Sequence, residues 1–161
     1  MSTRCNIKIT EPAIGKTVWL YRHCDGYPAE TGADLVQCVR AYFAYDCEML
    51  AQFIMRHGIE TDEHTGFRMN YELTSNIHGD IEHLYVIELG VDTDGNRLLG
   101  WGHAAGYGPS IEANVIMGNR AELVGLVNQD RKAMNARLDI LCKQPAYAKM
   151  YGSDRYEMIT L

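Results

Sequence analysis

Apolar and polar positions alternate at the start of the chain. The apolar members of this alternation are Cys5, Ile7 and Ile9. Their two-residue period is that of a half-buried β-strand. A second run, residues 17–22 (TVWLYR), also has the composition of a strand. The five residues 11–15 between the two runs include Gly15 and are short enough to form a hairpin.

From about Thr31 the apolar period changes to that of a helix. One helical face is predicted to carry Leu35, Val36, Val39, Tyr42 and Phe43. Thr31 and Asp34 resemble a capping box in which Asp replaces the usual Glu. A second helical set comprises Cys47, Leu50, Ala51 and Ile54. We favour a break at residues 44–46, with Asp46 as the N-cap of the second helix and Gly58 as its C-cap.

Three further segments have the composition of strands, namely residues 68–74, 83–89 and 96–103. The last two are joined by a segment that contains Asp94 and Gly95, a strong hairpin-turn signal. Residues 104–117 contain glycines and a proline, which predicts irregular backbone there.

The last helix is predicted to run from Asn119 to about Cys142. Asn119 followed by Glu122 is an N-terminal capping signal, and Pro145 lies beyond the expected end. Apolar residues recur at helical spacing at Leu123, Val127, Met134, Leu138 and Leu141. This stripe is interpreted either as core or as the surface of a homodimer. The C-terminal residues 156–161 are expected to add an edge strand or to lie over the core.

The strands come in hairpin-sized pairs instead of alternating strictly with helices. The pattern therefore predicts one α+β domain over residues 1–161. Its sheet is expected to be mainly antiparallel, with about five strands and two to three helices packed on one face. A chain of 161 residues is long enough to bury a core of this kind.

Composition narrows the classes of function. The chain has 15 basic and 21 acidic residues and no basic run, so no direct nucleic-acid footprint is expected. Its polar start is unlike a signal peptide, and no apolar run approaches the roughly 18 residues of a membrane helix. A cytoplasmic location without membrane contact is therefore expected. The five cysteines include no C-x-x-C pair, which predicts reduced thiols and argues against a zinc ribbon.

Two H-x-D pairs, at residues 23–25 and 78–80, are the strongest candidates for chemistry. Each lies at the edge of a predicted strand in a loop that contains glycine. An imidazole and a carboxylate together can bind a divalent metal or form a base with its orienting acid. If the two loops converge, the four metal ligands would be His23, Asp25, His78 and Asp80. The alternative is structural, because residues 25–28 (DGYP) are also residues that turns favour.

Cys24 lies between His23 and Asp25, an arrangement that raises the question of a catalytic thiol. Neighbouring residues of a strand point to opposite faces, so His23 is poorly placed to activate Cys24. We therefore interpret Cys24 as non-catalytic.

Aromatic residues are concentrated on the predicted sheet. Alternation places Trp19 and Tyr21 on one face of the second strand, and Val18 and Leu20 on the other. The aromatic face has two interpretations. It either stacks a base or anchors a protein partner, or helices cover it and the aromatics belong to the core.

Three motifs together resemble a group of small uncharacterised proteins encoded by bacteriophages and by bacterial mobile or accessory DNA. They are S-T-R at residues 2–4, Y-R-H-x-D-G-Y-P at 21–28 and H-G-D-I-E-x-L-Y at 78–85. The resemblance covers mainly residues 2–35 and 74–90. Similar proteins often carry Trp where Cys24 stands, which also argues against a catalytic thiol. The resemblance implies a small cytoplasmic accessory protein, with interference in a host defence system as one role, and it implies no particular activity.

The residues leave three functional hypotheses open. The first is a phage-type accessory protein, without a cofactor, that binds a host protein through an exposed face. The alternative is a metal-dependent hydrolase of a nucleotide or phosphodiester that uses both H-x-D loops. The third is a non-catalytic nucleotide pocket built from aromatics with Arg4 or Arg22. The candidate binding residues are Arg22, His23, Asp25, Tyr27, His78, Asp80 and Trp101.

Overall fold

The computed structural model of the chain describes residues 2–41, 46–61 and 63–160. The predicted helical positions of Tyr42 and Phe43, and most of the predicted break at residues 44–46, lie outside the described residues.

Strands and helices occupy most of the described chain. The strands are β1 (Cys5–Glu11), β2 (Lys16–Arg22), β3 (Ile59–Glu60), β4 (Arg68–Met69), β5 (Glu72–Thr74), β6 (His83–Val91), β7 (Arg97–Ala105) and β8 (Ile116–Gly118). The α-helices are α1 (Ala33–Ala41), α2 (Cys47–His57), α3 (Arg120–Leu141) and α4 (Pro145–Tyr151). Shorter turns are a π-helical turn at Pro28–Gly32 and 3₁₀-helices at Pro12–Ile14 and Pro109–Asn114.

The main sheet has six strands in the order β5-β2-β1-β6-β7-β8, and β3 and β4 form a separate two-stranded ribbon. Within the main sheet β1 and β6 are parallel, and the other neighbouring strands are antiparallel. The predicted α+β fold with a mainly antiparallel sheet is therefore confirmed. The sixth strand is β8, which lies in the part of the chain that the sequence predicted to be irregular.

The parallel pair, β1 and β6, lies at the centre of the sheet. One edge of β1 is occupied by β2, its partner in the predicted hairpin, so the other edge is free for β6. In this register Ile7 lies beside Tyr85. Parallel neighbours require a long crossover, and the segment that contains α1 and α2 provides it.

Helices α1, α2 and α3 pack on one face of the main sheet, as predicted. The sheet contributes to this core Cys5, Ile7, Ile9, Leu20, Tyr85, Ile87 and Trp101. The helices contribute Leu35, Val36, Cys38, Cys47, Leu50, Ala51, Ile54, Leu123 and Val124. Full burial of an aliphatic side chain of this size stabilises a fold by about 1.5–3 kcal/mol, so this cluster supplies the main driving force for folding.

The other face of the sheet has a smaller apolar cluster. Its buried members are Tyr21, Ile81, Leu84, Val86, Ala104 and Ile111. Ile81 belongs to the loop before β6, and Ile111 belongs to the 3₁₀-helix Pro109–Asn114. This face is thus covered by a loop and one short helix, which leaves Trp19 only partly buried.

Local signals are confirmed at the starts of α2 and α3 and in the β6–β7 turn. The predicted capping box at Thr31 and Asp34 is wrong, because Thr31 lies inside the π-helical turn and its hydroxyl donates to the carbonyl of Asp25. The carboxylate of Asp46 accepts a hydrogen bond from the amide of Met49 at the start of α2. Asn119 does the same for the amide of Glu122 at the start of α3. In the β6–β7 turn, Asp92 accepts from the amide of Asn96. These are contacts within four residues, which the local sequence specifies by itself.

The predicted strand over residues 68–74 is divided into β4 and β5. Between them Tyr71 is fully buried, and its hydroxyl donates to Asp34 over 2.6 Å. Its ring also lies against Gly58, where an added Cβ would overlap the ring. The strand is interrupted at this point because the side chain of Tyr71 is buried in the core.

Helix α3 belongs to the core only at its beginning. Its fully buried residues are Leu123, Val124 and Val127. The C-terminal tail does not add a strand, since it lies along α3 and is held there by Asn128 and Asn135. In the described part of the chain, no helix combines the length and the apolarity needed to cross a membrane.

Candidate functional site

The three sequence motifs at residues 2–4, 21–28 and 78–85 meet at one end of the central strands. The amide of Gly26 donates to the carbonyl of Thr3 over 2.8 Å, and the amide of Glu82 donates to the carbonyl of Arg4 over 2.9 Å. The hydroxyl of Ser2 donates to the carbonyl of His23. The N-terminal segment therefore lies between the two H-x-D loops and bonds to both.

Tyr21 is the side chain that joins the two loops. Its hydroxyl oxygen lies 3.2 Å from Nδ1 of His23 and 3.3 Å from Oδ2 of Asp80. Its ring stacks on the imidazole of His78, with 4.0 Å between the centroids. Nε of Arg4 lies 3.3 Å from Oδ2 of Asp80, in an ion pair without hydrogen-bond alignment. We call these five residues, Arg4, Tyr21, His23, His78 and Asp80, the Tyr21 cluster.

The electrostatics of the Tyr21 cluster keep the phenol protonated. Burial, followed by the neighbouring charge of Asp80, raises the pKa of Tyr21 to about 12. A neutral phenol has one proton, so it donates to Asp80 and accepts from His23. The Asp80 carboxylate thereby receives a hydrogen bond from the hydroxyl of Tyr21 and an ion pair with Arg4. Such a balanced carboxylate is suited to holding the two loops together.

His78 is fixed by contacts on several sides. Besides stacking on Tyr21, its Nε2 lies 3.0 Å from the hydroxyl of Thr74. Its backbone amide donates to Oδ1 of Asn6 over 2.7 Å, and Asn6 is fully buried in β1. The second loop is consequently anchored to the central strand by a buried amide side chain.

The two side chains of the first H-x-D loop, His23 and Asp25, contact different neighbours. Asp25 has a positive φ of 59°, and its carboxylate lies 3.9 Å from Arg22 and 3.4 Å from the hydroxyl of Tyr27. His23 instead contacts Tyr21. Among the described residues, no group of three or more His, Cys, Asp and Glu side chains is arranged to hold a metal ion. The structure thus brings His23, His78 and Asp80 to one tyrosine and places Asp25 with Arg22.

Arg22, a predicted binding residue, lies in the core. It is 5% exposed and donates to Thr31, Asp34 and Tyr71 over 3.2, 3.0 and 2.9 Å. Burial raises the pKa of Tyr71 well above its usual value, so this phenol also stays neutral. Thr31 and Asp34 therefore serve this network, a role that the capping interpretation did not include. No sequence pattern indicates Tyr71 as a partner of Arg22, because 49 positions separate the two residues in the chain.

The thiol of Cys24 lies 3.4 Å from the hydroxyl of Ser2, whereas His23 turns towards Tyr21. Trp19 and Tyr21 lie on the face opposite to α1–α3, which a loop and the 3₁₀-helix Pro109–Asn114 cover. Tyr21 is buried, so the core interpretation is confirmed for Tyr21, whereas Trp19 is only partly buried. Lys8 lies over the ring of Trp19 at 5.3 Å and pairs with Glu112.

A second group of polar side chains lies on the helix face of β6 and β7. Nδ1 of His83 and Nε2 of His103 are 3.0 Å apart. Burial, together with His83, lowers the pKa of His103 to about 4, and burial also lowers the pKa of His83. Both imidazoles are therefore neutral at physiological pH. Beside them Trp101, another predicted binding residue, lines a cavity of about 140 Å³.

The end of α3 and helix α4 form an exposed surface, which we call the C-terminal arm (residues 136–151). No residue of α3 after Val127 is fully buried, and α4 has no buried residue. Large apolar side chains that are 36–66% exposed here are Ile140, Leu141, Tyr147, Met150 and Tyr151. The predicted apolar stripe of α3 is therefore core at Leu123 and exposed at Leu141.

The charge of the C-terminal arm differs from that of the chain. The arm has three basic residues, Arg137, Lys143 and Lys149, and one acidic residue, Asp139, in a chain with 15 basic and 21 acidic residues. Asp139 is paired with Arg155, 2.8 Å away. The arm thus combines exposed apolar side chains with an excess of basic residues on an acidic protein.

Comparison of the chain with protein-family models, with curated proteins and with solved structures gave no match.

Proposed function

We propose that this protein is a cytoplasmic accessory protein of the phage type that acts by binding a host protein, and that the bound protein belongs to a host defence system. The observation that carries the proposal is the C-terminal arm, which exposes five large apolar side chains within twelve residues of chain. Contiguous exposed apolar surface with a polar rim is typical of sites that bind other proteins. The bacteriophage resemblance of residues 2–35 and 74–90 supports the host context.

The arm is not required by the protein's own core. The apolar cores end at Val127 of α3, and the arm continues beyond them. Leaving side chains such as Ile140 and Met150 in water is unfavourable, and a partner that buries them removes that cost. Aromatic and methionine side chains are also the types that protein interfaces concentrate.

The charge of the arm predicts the charge that the partner's surface carries. Arg137, Lys143 and Lys149 are exposed on the same segment as the apolar side chains. Complementary charges speed association and orient the partners. We therefore expect the partner to present an apolar groove with an acidic rim.

The hydrolase hypothesis has no comparable support in the contacts. The two carboxylates that it needs, Asp25 and Asp80, lie against Arg22 and Arg4. His78 stacks on Tyr21 and bonds to Thr74. In these contacts the predicted metal ligands bind other side chains of the protein and hold the two loops together.

The direct test is affinity purification from the host lysate, followed by binding measurements with the purified partner. The test variant is Ile140→Glu combined with Met150→Glu, both on the exposed arm. Ile14→Glu is the matched control, because Ile14 is 61% exposed, close to the 66% of Ile140, and lies in the β1–β2 turn. We expect the arm variant to bind at least tenfold more weakly and the control to bind like the wild type.

Two results would contradict the proposal. One is equal binding of the partner by the arm variant and the wild type. The other is a wild-type protein that is a dimer in size-exclusion chromatography with light scattering, while the arm variant is a monomer. In that case the arm joins two copies of this chain and is not free for a host protein.

A further inference from the structure

A cleft of about 420 Å³ lies where the C-terminal arm meets the segment after α4. Leu138 of α3 and Tyr151 of α4 line it from the arm, and Asp154, Arg155 and Tyr156 line it from the following segment. Tyr151 is also one of the exposed side chains of the arm. The cleft is therefore continuous with the surface to which we assign the protein partner, and a role for it in binding rests on that proposed function.

The wall formed by the segment after α4 is held in place by the protein itself. The amide of Tyr156 donates to Oδ1 of Asn135 over 2.8 Å, and its carbonyl accepts from Nδ2 of Asn135 over 3.0 Å. The amide of Asp154 donates to the carbonyl of Tyr151 over 3.0 Å. A partner thus meets a cleft whose backbone is already ordered, which lowers the entropic cost of binding.

The charge of Arg155 is already paired within the chain. Its Nε and Nη2 lie 3.0 and 2.8 Å from Oδ1 of Asp139, and its Nη1 donates to the carbonyls of Tyr151 and Asp154. An incoming carboxylate would therefore find no free guanidinium fork. A cation is disfavoured by the excess of basic residues on the arm. The cleft is suited to an uncharged group.

The size and lining of the cleft favour an aromatic group. Two of its five lining residues are tyrosines, and Leu138 is aliphatic. Aromatic rings pack against one another in offset or edge-to-face arrangements. A cavity of about 150 Å³ holds one benzene ring, so about 420 Å³ leaves room for the two-ring side chain of tryptophan. Tryptophan is also among the residues most enriched at the energetic centres of protein interfaces.

The basic residues of the arm predict what lies beside this aromatic group. Arg137, Lys143 and Lys149 are exposed, and in the described part of the chain none of them has an ion-pair partner. Acidic residues of the partner would complement them.

We propose that this cleft receives a tryptophan side chain from the acidic rim of the host protein that the arm binds. The ring packs against Leu138, Tyr151 and Tyr156, and the acidic residues beside it complement the basic residues of the arm. A second copy of this chain does not fit this description, because neither Trp19 nor Trp101 has an acidic residue within two positions in the sequence.

Short peptides serve as the probe, so the measurement needs no host protein. Glu-Asp-Trp-Asp-Glu, blocked at both ends, is compared with Glu-Asp-Ala-Asp-Glu and with Lys-Lys-Trp-Lys-Lys. In two-dimensional NMR spectra of the full chain, we expect the acidic tryptophan peptide to shift the amides of Tyr151, Arg155 and Tyr156 with saturation. The alanine peptide and the basic peptide are each expected to bind at least tenfold more weakly.

Substitutions of Tyr151 test the wall of the cleft. Tyr151 is exposed at the last position of α4, so Tyr151→Ser is expected to leave the core intact. We expect this variant to bind the acidic tryptophan peptide at least tenfold more weakly, and Tyr151→Phe, which keeps the ring, to bind like the wild type. Tyr107→Ser is the matched control, because Tyr107 is 72% exposed and lies outside the arm.

Two results overturn the proposal. One is an acidic tryptophan peptide that causes no saturable shift, or that binds no more tightly than the alanine peptide. The other is unchanged affinity in a Tyr151→Ser protein that circular dichroism shows to be folded. Either result refutes the cleft alone if affinity purification still captures a partner through Ile140 and Met150. A failed capture with normal peptide binding refutes the proposed function instead and keeps the cleft as a peptide site.

Discussion

The ring of Tyr21 stacks on the imidazole of His78, with centroids 4.0 Å apart and planes inclined by 15°. Tyr21 belongs to strand β2 and His78 to the loop between β5 and β6, more than fifty positions later in the chain. Through this contact, and through the hydroxyl of Tyr21, the two H-x-D loops and the N-terminal segment become one assembly. The three sequence motifs at residues 2–4, 21–28 and 78–85 are therefore parts of one structural site.

Tyr21→Phe tests the role of the hydroxyl in this assembly. The variant keeps the ring stacked on His78 and loses the contacts to His23 and Asp80. We expect the free energy of unfolding to fall by about 0.5–1.5 kcal/mol, the usual value of one hydrogen-bonded hydroxyl. Urea denaturation measures this. Tyr107→Phe is the control, because Tyr107 is 72% exposed, and a loss of equal size in the control would refute the assigned role.

Asp34→Asn tests the buried network around Arg22. The substitution removes the charge nearest to the guanidinium, at 3.0 Å, and weakens the bond from Tyr71. Breaking a fully buried ion pair costs about 3–5 kcal/mol, and we expect about 2–3 kcal/mol because Asp34 is partly exposed. Glu60→Gln, which breaks the exposed pair with Arg68, is the matched control and is expected to cost less than about 1 kcal/mol. If the two losses are equal, Arg22 is not held by Asp34.

The His83–His103 pair predicts a specific loss of stability in acid. The pKa of His103 is lowered from 6.5 to about 4 in the folded protein, so the unfolded chain binds more protons between these values. Stability therefore rises with pH across this window and falls as the pH is lowered from about 6.5 to 4. Asp130 and Glu82 act on His83 in the opposite direction, but burial dominates and lowers its pKa too.

Melting temperatures measured between pH 7 and pH 4 test this prediction. We expect His103→Gln to show a smaller fall across the window than the wild type. His23→Gln, on the exposed side of the Tyr21 cluster, is the comparison and is expected to follow the wild-type profile. Parallel profiles for His103→Gln and the wild type would show that the pair does not govern the acid response.

The C-terminal tail is expected to depend on two asparagines of α3. Asn135 bonds both the amide and the carbonyl of Tyr156, and Asn128 does the same for Ile159. The double variant Asn128→Ala with Asn135→Ala removes all four bonds. Hydrogen exchange should become about fivefold or more faster at the amides of Tyr156 and Ile159, as expected for a hydrogen bond worth about 1 kcal/mol.

Asn114→Ala is the control for the tail, since Asn114 is exposed at the end of the 3₁₀-helix Pro109–Asn114. Amides of β6 are expected to exchange at wild-type rates in every variant. Unchanged protection of Tyr156 in the double variant would mean that Arg131, which donates to the carbonyl of Glu157, is sufficient to hold the tail.

The parts of the fold that could be predicted are those that depend on contacts between residues close together in the chain. The alternation at Cys5, Ile7 and Ile9 specified β1, and Asp46 and Asn119 specified the starts of two helices. A strand or a cap depends on contacts within about four residues, so the local pattern is sufficient. The α+β class followed from the order of these elements.

The candidate sites depended on contacts that no local pattern specifies. Arg22 was expected to bind a ligand, and only the tertiary structure showed that Tyr71 and Asp34 enclose it. The cavity at Trp101 requires β8 and α3, of which β8 was not predicted. A polar side chain in a loop has the same sequence signal whether it binds a ligand or holds the core together.

The sequence by itself determined most of the strands, the helix starts and the hairpin turns of this protein. The tertiary structure alone decided the parallel pairing of β1 with β6, the burial of Arg22 and the stacking of Tyr21 on His78. The physical reason is that the residues in these contacts lie far apart along the chain. These contacts join residues between 49 and 78 positions apart, and their free energy depends on how well whole surfaces pack and on which polar groups find partners.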